Sequence, residues 1–230
     1  MKLLSPELWS EKSVWGIVGA NAFVLFGTLF LGWDAAFVLV LYWAENVIIG
    51  GYNILKVALV RCRRWTGHLG KLFLIPFFAL HYGGFCGVHG AFILGLTAIK
   101  GPHTIHSVFP RESGGPLVFV QMFINVVRAL LDRAGGDLAW PLAALVCSHG
   151  MSFVENYLLK REYQTTTPEK LMSAPYGRIV VLHVAIIAGG APVMLLGSPV
   201  PLLVVLVVLK TMMDIQMHRK AHAKLRATQG

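Results

Sequence analysis

Long apolar runs alternate with short polar, basic segments along this chain, and the runs are long enough to set the architecture. A helix needs ~20 mostly apolar residues to cross a ~30 Å hydrocarbon core. Such runs fall at about Val14–Leu31, Ala35–Val60, Lys71–Ala98, Leu138–Leu159, Ile179–Leu196 and Pro199–Met217. The pattern predicts an all-α fold, a polytopic transmembrane helix bundle of six spans in one integral membrane domain covering residues 1–230. Trp15 and Trp33 bracket the first run at interface positions. No internal repeat and no low-complexity segment interrupts the series.

A further helix, about 116–132, breaks the pattern. Its Gln121, Asn125, Arg128 and Asp132 fall on one stripe of a 3.6-residue period. About 16 residues reach only ~24 Å, short of a full crossing. The expectation is an interfacial amphipathic helix. The positive-inside rule agrees. Basic clusters precede the first span and recur at 61–71, 160–178 and 219–226. If 116–132 does not cross, every cluster and both termini are cytoplasmic.

Composition adds the class. The chain is 56% hydrophobic and 13% charged, with a net charge of +9. Its mean hydropathy is +0.65. A soluble domain carries roughly 25% charged residues. Because the basic residues flank apolar runs, they imply a bilayer and anionic lipid headgroups as partners, with no nucleic acid. A homo-oligomer is compatible with the pattern. Cys62, Cys86 and Cys147 form no CxxC and no even-numbered framework. Glu7 and Glu11 interrupt the N-terminal lysines and no A-x-A site follows, which favours an uncleaved first span.

Polar groups inside the spans are the candidate chemistry, because ionisable groups in hydrocarbon are costly and usually functional. The third span carries HYGGFCGVHG, His81 to Gly90, whose small residues let neighbouring helices approach. Counting ~1.5 Å per residue places Glu45, His81 and His149 near the midplane on three different helices. His81 and His89 are ~12 Å apart along their helix and rotated by ~80°, so they do not form one two-histidine motif. The same count puts His183 ~6 Å above the inner surface, at a depth shared with Asp214 and Glu155. Asp214, His218 and His222 follow at i, i+4 and i+8, so an inner cluster of Glu155, His183, Asp214 and His218 is geometrically open. Lys210, one turn before Asp214, is an alternative partner for that carboxylate. Asn46, Asn53, Ser152 and Asn156 supply further hydrogen-bonding groups on these faces.

The set Glu45, His81, His89, His149, His183, Asp214 and His218 points to a transition-metal site, with zinc, iron or copper suited to imidazole and carboxylate ligands. Haem fits less well, since it needs two histidines facing across one iron. A membrane-embedded metalloenzyme would use the metal as Lewis acid or redox centre. The alternatives are a proton-coupled transporter or channel built from the same residues, and a structural membrane protein whose polar groups specify packing. Gly150-Met151-Ser152 admits an intramembrane serine hydrolase of rhomboid-like type, although the last span offers no mid-depth histidine.

The motifs LYWAENVIIGGYN, HYGGFCGVHG, SHGMSFVEN, PYGRIVVLH and LKTMMDIQMH together resemble a bacterial family of polytopic membrane proteins filed as domain of unknown function 6498. The resemblance covers about Leu41 to His222. It implies a bacterial inner-membrane location and brings no activity or ligand.

Overall fold

The computed structural model describes residues 12–62, 65–97, 108, 115 and 117–229. Among these, all regular structure is helical. The elements are α1 (Lys12–Phe30), α2 (Ala35–Leu59), α3 (Trp65–Leu96), α4 (Leu117–Ala134), α5 (Ala139–Ser152), α6 (Pro168–Ser173), α7 (Tyr176–Leu196) and α8 (Val200–Gln229). Among the described residues, four helices are long and apolar enough to cross a membrane: Ala35–Leu59, Trp65–Leu96, Pro168–Leu196 and Val200–Met217. Shorter apolar helices occupy Val18–Phe30 and Leu117–Leu131. The outer surface is greasy, with Phe30, Trp65, Leu72, Trp140, Leu195 and Leu196 all exposed. That surface suits lipid and not water.

Local sequence explains the helix ends. Asp34 caps α2 by accepting from the Ala36 N–H at 2.8 Å. Gly197, at φ 62°, closes α7 in the left-handed conformation that glycine adopts without strain. At the far end of α2, Lys71 reaches across from α3. Its ammonium donates to the Ala58 carbonyl at 3.0 Å and also to that of Val60. A residue that reads as part of a basic topological cluster is therefore buried, satisfying carbonyls at a helix C-terminus.

Helix directions follow from paired levels. Trp43 lies beside Cys86 and Gly50 beside Tyr82, so α2 and α3 are antiparallel. Tyr52 meets Val146 and Phe153, and Tyr157 donates to the Lys56 carbonyl, so α5 runs parallel to α2. The segments after α2 and after α5 consequently sit at the same end of the bundle.

The amphipathic segment packs differently from its sequence expectation. α4 does not lie across the ends of its neighbours. It runs lengthwise along α3, with Gly84 against Phe119, Gly87 against Met122 and Phe123, and Gly90 against Val126. A Cβ on Gly90 would come within 2.5 Å of Val126 Cγ1, so only glycine permits this approach. Met122, Val126 and Leu130 form its buried ridge, while Leu117, Phe119, Val120, Ile124 and Leu131 are exposed. An apolar outer face suits hydrocarbon. The polar stripe turns sideways instead: Gln121 donates to Asn125, which donates to the Val108 carbonyl. Since Phe119 is level with Gly84, α4 starts ~18 Å back along α3 from Leu96.

Candidate functional site: the Glu45 ion-pair node and its cleft

Four helices bring charge to one point. Glu45, on α2, is paired through Oε1 with Arg178 Nη1 of α7 at 3.4 Å and with His149 Nε2 of α5 at 3.6 Å. Its Oε2 lies 3.9 Å from Lys210 Nζ of α8. Lys210 in turn holds Asp214 at 3.1 Å and sits 5.6 Å above the Tyr42 ring. The side chains are about four-fifths buried, so water screens them little. Two carboxylates face two cations, and the node is neutral when His149 is neutral.

One side of Glu45 opens to a cleft of about 820 Å³ between α1, α2 and α5. Its walls are apolar, from Val24, Phe37, Leu41, Pro141 and Leu145, and its polar groups are Asp34, Tyr42, Glu45 and Ser148. The cleft is left open because α5 fully buries none of its own residues and packs chiefly on α2. Immediately after His149 to Ser152 the helix widens into a π-helical stretch, Phe153–Leu159. Local π geometry is frequent at functional positions. It lets Tyr157 point inward to Val57, Val60 and Leu171, which anchors this end of α5.

The sequence-nominated residues separate into distinct groups. Glu45 and His149 meet as expected, but His81 does not join them. Tyr82, not His81, faces α2 and donates to the Asn46 carbonyl at 3.0 Å. One residue earlier on the helix, His81 points outward, with Nδ1 2.8 Å from the Tyr176 hydroxyl. His89 has the partner that counting could not supply. Its Nε2 is 3.0 Å from His183 Nδ1. α3 and α7 are parallel, with Tyr176 level with His81 and His183 level with His89.

His183 is therefore not part of an inner cluster. The depth count assumed that α7 begins at the surface, whereas Tyr176 is level with a residue sixteen positions into α3. The polar segment before α7 tucks beneath it, burying Leu171 against Val57 and Ile75. Asp214 pairs with Lys210, and Glu155 is exposed on the π-helical stretch. The His218 side chain lies outside the described residues. Among the described residues, no group of three or more His, Cys, Asp or Glu could hold a metal ion. Ser152 is exposed and accepts from Asn156 at 3.2 Å, while the His149 Nε2 is turned to Glu45.

Arg178 is the member of the node that the sequence pattern does not single out. It stands at the start of an apolar run in PYGRIVV, where it reads as one more charge of the basic cluster at 160–178. The signal that could have found it is the intramembrane carboxylate Glu45, which needs a cation.

The comparison with known proteins places the chain as a whole. Residues 3–230 match the profile of the family of unknown function DUF6498. The chain belongs to that family. The match extends past the motif-bearing region to both ends of the sequence, so the node and cleft lie within the family's own domain. No curated protein and no solved structure gives a match.

Proposed function

We propose that this protein binds an amphipathic molecule taken sideways from the bilayer, with an apolar body in the α1–α2–α5 cleft and a neutral, hydrogen-bonding polar end at Glu45. The observation that carries this reading is the ion-paired Glu45 carboxylate at the inner end of a cleft of about 820 Å³ with apolar walls. The volume falls in the range of small-molecule sites. The polar end is neutral because the node already balances its own charges, and a net charge on the ligand would stand uncompensated in low dielectric. Tyr42 and Ser148 hydroxyls add donors and acceptors beside Glu45. The setting we propose is a bacterial inner membrane, with the basic segments facing cytoplasmic anionic headgroups.

The test is native mass spectrometry of protein extracted from its membrane. The wild type should retain a stoichiometric amphipath, and Ala144→Phe, which fills the cleft wall, should release it. A protein that carries no amphipath, or one that Ala144→Phe leaves in place, refutes the reading.

A further inference from the structure

A second cavity, of about 310 Å³, lies on the outer side of α3 against α4, away from the Glu45 node. Its walls include Phe77, Phe85 and Phe119, and Gly84 keeps the floor free of a side chain. His81 is the one polar side chain among the described lining residues. Phe77 stacks on the His81 ring at 5.2 Å and 15°, and Phe85 meets it edge-on at 5.0 Å and 90°. The imidazole is thus fixed between rings of its own helix. Tyr176 of α7 fixes the remaining freedom by holding Nδ1 at 2.8 Å.

That contact leaves Nε2 as the nitrogen that is free to act. No described residue partners it. When the Tyr176 hydroxyl donates to Nδ1, the neutral ring carries its proton on Nε2. An N–H presented to hydrocarbon without an acceptor is costly. An acyl chain offers neither an acceptor nor a ring to stack. A flat, conjugated ring that bears a carbonyl offers both, since aromatic walls favour offset stacking and edge contacts.

We propose that this cavity is a binding site for a quinone-type headgroup from the bilayer, with the ring among Phe77, Phe85 and Phe119 and a ring carbonyl accepting from His81 Nε2–H. Tyr176 is a positioning residue that sets the tautomer and orientation of the imidazole, as outer partners do for ligating histidines. The site takes its ligand independently of the Glu45 cleft.

The experiment is equilibrium binding of 2-methyl-1,4-naphthoquinone to the full chain in lipid nanodiscs, counted against empty discs, with 2-methylnaphthalene as the ring without carbonyls. The wild type should bind the quinone saturably and prefer it over the hydrocarbon. His81→Phe, which keeps a ring and removes the donor, should weaken quinone binding roughly 3- to 10-fold, the size of one hydrogen bond, and abolish the preference. Tyr176→Phe should lie between the two, because it frees the tautomer and keeps the donor. Its behaviour also covers the case in which His81→Phe fails to fold. Partition no greater than into empty discs, equal affinity for both compounds, or affinity unchanged in both His81→Phe and Tyr176→Phe overturns the proposal.

Discussion

His89 Nε2 and His183 Nδ1 lie 3.0 Å apart, joining the centre of α3 to α7 through one hydrogen bond. Two neutral imidazoles carry two N–H groups, and this contact uses one of them. The other nitrogen of His89, Nδ1, is buried and has no partner among the described residues. His183→Ala would leave the whole His89 ring unpaired inside the bundle and should lower stability by about 1–3 kcal/mol. His89→Leu combined with His183→Leu removes both polar groups and should recover most of that loss. Thermal melts of the purified single and double variants measure it, and a double variant less stable than either single would count against the pairing.

Glu45 should behave as the member of its node that cannot be spared. Glu45→Leu leaves Arg178 and Lys210 without their shared carboxylate and should destabilise by about 3 kcal/mol, the scale for breaking a buried pair. Arg178→Met in that background should give part of it back, because fewer cations then lack a counterion. Strictly additive losses in a double-mutant cycle would show that the two side chains do not interact.

Gly90→Ala should loosen α4. The added methyl meets Val126 Cγ1 at 2.5 Å and the Trp43 ring at 2.9 Å, so overpacking of about 1–3 kcal/mol is expected. Val126→Ala removes the first clash and should restore part of the stability. Protease sensitivity of the α3–α4 connection gives a second readout, rising in Gly90→Ala alone.

Lys71→Met keeps the length of the side chain and removes its donor. The Ala58 and Val60 carbonyls then lose a charged partner, and a loss of about 1.5–3 kcal/mol follows. Lys71→Arg should retain most of the stability. If Lys71 served only to orient the chain in the membrane, Met and Arg variants would melt alike.

Parallel α2 and α5 make a topological statement. Reporters at residues 62 and 163 should label from one side of the membrane, and a reporter at residue 136 from the other. Arg61 N–H donates to the Tyr163 carbonyl at 2.8 Å, which ties the first two positions together directly. Opposite labelling of residues 62 and 163 would break the arrangement.

The sequence read well wherever one helix explains itself. Four of the six expected spans, the glycine face of α3 and the company of Glu45 and His149 follow from apolar length and a single carboxylate's need for partners. It read poorly wherever two helices had to be placed relative to each other. The stripe Gln121, Asn125 and Arg128 fits a helix flat on a bilayer and also one whose polar edge faces a neighbouring segment, as the Asn125 bond to Val108 does. Periodicity carries no information on which holds. His183 lies deeper than a count from the apparent surface puts it, because Tyr176, at the start of α7, is already level with His81. His81 and Tyr82 are one helical step apart, so choosing which faces α2 required knowing the helix rotation, and hydropathy leaves rotation free.

The seat of α4 has a consequence for how the protein is made. Gly84, Gly87 and Gly90 precede Phe119 to Val126 in the chain, so the groove leaves the ribosome before the helix that fills it. Among the described residues α4 has its main packing partner, α3, before it in the chain. It can dock on α3 as it emerges, and α5 can then set out from the same side of the membrane at which α3 finished. Synthesis order and packing order coincide here, which spares a polar-edged half-helix from a period alone in lipid.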